Sequence, residues 1–214
     1  MVMVELMVVD RLTLGMVDMR MKLLSAVAAA AAVMAIGTSA SAFEFVQNGS
    51  FENSTYAANS QFVGTSGGSY VASQGVTGWT GAGGSALEFY FVGGTQTSVS
   101  ATNRYDDPAA YFYPSLNTLS PDGGNFVGLD GDSAVQGGIS QTINGLVIGE
   151  YYNLNFNWGA AQLINRSGPT TEQLQITFGN DVVTTGVEGV ASGAFSGWQN
   201  GHFQFQATST SQVL

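Results

Sequence analysis

Hydrophobic and polar residues alternate along the second half of the chain with a period of two. Residues 150–158, EYYNLNFNW, show it best: Tyr152, Leu154, Phe156 and Trp158 fall on one side, Tyr151, Asn153, Asn155 and Asn157 on the other. Successive side chains leave opposite faces of a strand, so this is the pattern of a strand with one covered face. Residues 124–129 and 138–143 are shorter runs of the same kind, with Asp130-Gly131-Asp132 and Asn144-Gly145 at the turns between them. Further on, residues 172–178 place Leu174, Ile176 and Phe178 inward. Asn180-Asp181 turns into a hairpin strand at 182–185. Residues 202–208 set Phe203, Phe205 and Ala207 inward against His202, Gln204 and Gln206, and 211–214 starts another strand. Upstream, 43–52 reads as a short strand with a turn at Asn48-Gly49. Residues 78–80 bring in a buried indole at Trp79, and 87–92 alternates Leu87, Phe89 and Phe91 against Glu88 and Tyr90. About nine short strands separated by turn residues predict an all-β, antiparallel β-sandwich or jelly roll.

Three stretches break this rhythm. In residues 19–42, Arg20 and Lys22 precede an apolar run of 14 residues and then Ala40-Ser41-Ala42. A basic start, an apolar middle and a small-x-small end predict a helical signal peptide, with the mature chain beginning at Phe43; the run is short for a membrane span. Residues 1–18 carry Glu5, Asp10 and Asp18, which do not suit the start of such a signal. They read as an upstream extension, with translation starting at Met19 or Met21, and 43–214 reads as one β-sandwich domain. Residues 93–121 form a long connection containing Arg104, Tyr105, Asp106, Asp107, Tyr111, Phe112 and Tyr113. Connections of that length inside a compact domain are commonly functional.

Charge narrows the partners. The formal net charge is −10, only 9% of residues are charged, and beyond residue 42 the cations are Arg104 and Arg166. Nucleic acids and anionic membranes are held through basic patches, so neither fits. There is no cysteine, hence no disulfide framework and no thiolate chemistry. The acidity suits solubility outside the cell, a cation site or a neutral ligand such as a glycan.

Sugars offer apolar C–H faces and fixed hydroxyls, which aromatic rings and amide, carboxylate or guanidinium groups complement. Arg104, Tyr105, Asp106, Tyr111, Tyr113, Gln162 and Arg166 supply that mixture on loops and are the candidate ligand-binding residues. The competing reading packs the same aromatics onto the sandwich. Asp130 and Asp132 form an Asp-x-Asp, but no Glu follows at the twelfth position of a calcium loop, and a hairpin turn explains them. Asp106, Asp107, Glu88 and Glu150 show no spacing that singles out a catalytic pair. His202 is the one histidine, outward on its strand, and no G-x-S-x-G elbow precedes a helix. The chain therefore reads as non-enzymatic.

A resemblance adds to this. NGSFE at 48–52, GW at 78–79, DGGNFVGLDGD at 122–132, GGISQTINGLVIGEYYNLNFNWGAAQ at 137–162, EQLQITFG at 172–179 and FSGWQNGHFQFQATSTSQVL at 195–214 occur in that order. The pattern resembles bacterial exported PEP-CTERM-type surface proteins with a galactose-binding-like, carbohydrate-binding-module-like jelly roll. The resemblance implies an extracellular or cell-surface location and an extracellular polysaccharide as partner. It also implies a structural Ca²⁺ near the opening Asn-Gly-x-Phe-Glu, with Glu52 as one ligand. Relatives of that type continue into one or two closing strands and an anchor, so the resemblance implies a chain truncated at its C-terminal end. A structural or adhesive surface role with no defined sugar site is the alternative, and a polysaccharide hydrolase a more distant one.

Overall fold

The computed structural model describes residues 1–11, 44–55, 76–81, 88–91, 120–121, 123–134, 136–162 and 166–214. The expected signal helix lies outside them, as does most of the 93–121 connection. Among the described residues there is no helix, and the strands pair antiparallel throughout. They are β1 (Val2–Arg11), β2 (Thr80–Gly81), β3 (Glu88–Phe91), β4 (Phe126–Leu129), β5 (Ile139–Ser140), β6 (Thr142–Asn144), β7 (Tyr151–Ala160), β8 (Thr170–Glu172), β9 (Gln175–Phe178), β10 (Asp181–Thr184), β11 (Glu188–Val190), β12 (Gln199–Gln206) and β13 (Ser211–Val213).

One sheet runs β12-β7-β1-β4-β3. Its spine is the β7 alternation: Tyr152, Leu154, Phe156 and Trp158 are buried. Against it lie β5 and β6, with β13 paired to β6 and β9 paired to β10. Leu214 exchanges two backbone hydrogen bonds with Gln141, and Gly179 N–H donates to Val213 O, which ties β13 to β9 as well. Ile143, Ile176, Phe178 and Leu214 complete one core cluster with the β7 row. Phe178 from β9 meets Phe205 from β12 at a ring distance of 5.4 Å. The result is an all-β fold of sandwich-like character.

The outer side of β7 and β12 is a ladder of amides. Asn200 donates to Asn157 (2.5 Å), His202 Nδ1 contacts Asn155 Oδ1 (2.7 Å) and Gln204 reaches Asn153 (3.5 Å). Cross-strand pairs of this kind stabilise a sheet by fractions of a kcal/mol each while keeping its wet face uncharged.

Several elements differ from the sequence reading; residues 44–52, read as a short strand with a turn, form turns without a strand. Residues 2–11, set apart there as an extension, form β1 between β7 and β4. Tyr90, read opposite the apolar row of its strand, is buried and donates its hydroxyl to Phe51 O at 2.8 Å. The 138–143 run divides into β5 and β6 around Gln141. That side chain is buried: its Oε1 accepts from Gln47 N–H, and its Nε2 donates to Gln47 O and Gly78 O. A buried amide bonded at both ends has its polar groups satisfied, and here it joins the N-terminal turn to the second layer.

Candidate functional site

The turn at 48–53 is built around Asn48. Its amide donates to Asn53 O and Thr77 O, its Oδ1 accepts from Asn53 N–H, and its backbone carbonyl accepts the Trp79 indole N–H at 2.9 Å. Asn48 sits at φ 54° and Phe51 at φ 59°. Asparagine tolerates the left-handed region because its short side chain bonds locally; phenylalanine has no such help and is held there by burial. The turn fixes Trp79, whose ring lies 5.2 Å from that of Phe51.

Trp79 then forms part of the wall of a cavity of about 360 Å³ at the β4 end of the core. Val4, Leu129, Leu174, Ile176 and Leu214 supply the apolar lining, Asp130 and Gln136 bring polar side chains to it, and Gln173, Gln175 and Thr177 border it with their side chains exposed. The loop carrying Asp130 is shaped by two side-chain turns, not a two-residue hairpin. Asp130 Oδ1 accepts from Asp132 N–H (2.8 Å) and Asp132 Oδ1 from Ala134 N–H (2.9 Å), while Gly137 N–H returns to Asp130 O. This is how Asp folds short loops onto itself.

Burial pushes the Asp130 carboxyl above its ordinary range. The Asp132 charge adds to the push, and the Asp132 N–H bond, the Met1 amino group and Arg166 oppose it. A carboxyl that holds its proton more tightly folded than unfolded favours the folded state when protonated. Its contribution is complete below the unfolded value of 3.8 and is lost as pH rises through the raised folded value. Asp130→Asn, which keeps the turn acceptor without the charge, is expected to raise Tm at pH 7 and leave it unchanged at pH 3. Thermal melts of both chains at the two pH values check this.

The seven candidate ligand residues divide. Arg104, Tyr105, Asp106, Tyr111 and Tyr113 lie outside the described residues. Gln162 is buried, its Nε2 donating to Gly168 O and its Oε1 accepting from Gly193 N–H. That amide is committed to holding two loops together. Arg166 is exposed on one of those loops and lies close enough for its charge to act on Asp130. Glu52 is exposed and accepts the Asn125 N–H at 2.5 Å. Among the described residues no three His, Cys, Asp or Glu side chains converge to hold a metal. Among the described residues Glu52 is therefore not joined by two further carboxylates or imidazoles.

Gln136, Gln173, Gln175 and Thr177 were not singled out by sequence. The alternation EQLQIT makes residues 172–177 legible as a strand, but nothing in it reports that a cavity opens beside them. No family model matches the chain, and neither the curated proteins nor the solved structures contain a significant match.

Proposed function

We propose that the chain is an exported, non-enzymatic protein with a galactose-binding-like jelly roll that binds an extracellular polysaccharide. The observation that carries this reading is the cavity at the β4 end of the core. At about 360 Å³ it falls in the size range of small-molecule pockets. Its lining joins the Trp79 indole and aliphatic side chains to the Gln136 amide, the Asp130 carboxyl and the 173–177 stretch, without a Lys or Arg. Such a mixture suits a neutral, polyhydroxylated ring: apolar surface for the C–H face, and directional donors and acceptors for the hydroxyls. Arg104, Tyr105, Asp106, Tyr111 and Tyr113 of the 93–121 connection are proposed as further sugar ligands, and a structural Ca²⁺ with Glu52 as one ligand belongs to the same proposal.

The test is a glycan panel probed with the folded chain, with and without a chelator. Selective binding is expected, and Gln136→Ala is expected to weaken it about tenfold through loss of one or two hydrogen bonds. A chelator effect would add the ion. A folded chain with a flat profile across the panel would overturn the reading and leave the structural or adhesive role.

A further inference from the structure

The strand at the centre of the five-strand sheet lies on the far side of the predicted signal peptide from the rest of the domain. β1 pairs with β7 from Val2–Ala160 to Arg11–Tyr152, with an irregularity between Glu5 and Met7. On its other edge it pairs with β4 from Val2–Leu129 to Val4–Val127. Val4 is fully buried in the core cluster and also lines the cavity. Around the end of the strand, the Met1 amino group meets Glu172 Oε1 at 2.7 Å, and Met1 O accepts from Ala161 N–H. All of these are contacts between separate stretches of chain. The covalent route from Arg11 to Glu44 passes through Ala42-Phe43, where the sequence predicts cleavage.

We propose that the groove between β4 and β7 is a strand-acceptor site, with Val2–Arg11 as its occupant, held by pairing and burial. Backbone pairing on two edges gives such a site affinity, and the pockets for alternate side chains give it register. An empty groove would expose the ladder groups of β7, and unpaired strand edges recruit strands. A cut at residue 42 would therefore leave a two-piece domain able to take the same strand in trans, antiparallel to both neighbours. This inference does not depend on the glycan reading, and sugar binding by the uncut chain is a separate measurement.

The experiment starts from the full chain with a specific protease site replacing residues 40–43, cut after folding. The 1–42 fragment is expected to co-elute with the remainder at one to one in native size exclusion and to leave in denaturant. A fluorescent synthetic peptide of residues 1–12 is expected to exchange into the cut protein. The same peptide carrying Val4→Asp should bind about tenfold or more weakly, since a charge at that buried position has no partner. Separation of the fragment under native conditions overturns the proposal, whether the remainder stays folded or precipitates. Equal binding of the Val4→Asp peptide overturns it as well.

Discussion

Phe51→Ala is expected to lower the unfolding free energy by about 4 kcal/mol, in the range for deleting a buried phenylalanine ring. The ring is fully buried, stands against Trp79 and belongs to the same cluster as β7, so little can relax into the space. A second substitution separates packing from backbone. Glycine at an ordinary buried position is worse than alanine by about 0.5–1 kcal/mol. At φ 59° alanine keeps the strain and glycine relieves it. Phe51→Gly is therefore expected to cost no more than Phe51→Ala. Urea denaturation midpoints for the two variants decide the matter, and a clearly less stable glycine variant would show that the left-handed turn carries no strain.

Gly201→Val is expected to cost about 3 kcal/mol, the upper part of the usual range for overfilling a packed site. Gly201 faces Phe156 across β12 and β7, and a Cβ built on it overlaps the outer atoms of that ring. Phe156 is buried and stacked on Phe203 with centroids 6.0 Å apart, so the ring has no direction in which to retreat. The same geometry predicts a rescue. Phe156→Leu shortens the side chain that Gly201 accommodates, so Gly201→Ala should cost less in that background than in the native one. A double-mutant cycle reads this coupling as a departure from additivity; strict additivity would mean that the glycine serves some other purpose.

The pattern of alternation carried much of the fold. Leu174, Ile176 and Phe178 are buried, as are Phe205 and Ala207, and His202, Gln204 and Gln206 are exposed, because a period of two survives wherever one face meets the core and the other water. It fails where a polar group goes inside for its hydrogen bonds. Tyr90 and Gln141 look like outward residues in a list of hydropathies, yet each is buried with its polar atoms bonded. β1 was missed for another reason. Its alternation is weak, VMVELMVVDR, and its place depends on a partner about 150 residues away, which local pattern cannot report. The site was least legible of all. Gln162 is conspicuous as a loop amide, and the structure uses it to bond two loops. The cavity instead draws its polar groups from residues that read as ordinary strand and turn.

The pairing of β6 with β13 joins Asn144 to Ser211 and Thr142 to Val213, and it has a consequence for the timing of folding. Loop-closure entropy must be met before such distant partners reward it, so a fold of this connectivity forms slowly compared with one built from neighbours. For a molecule made N-terminus first, β6 has to wait about 70 residues for its partner, and the bonds between Gln141 and Leu214 cannot form before residue 214 emerges.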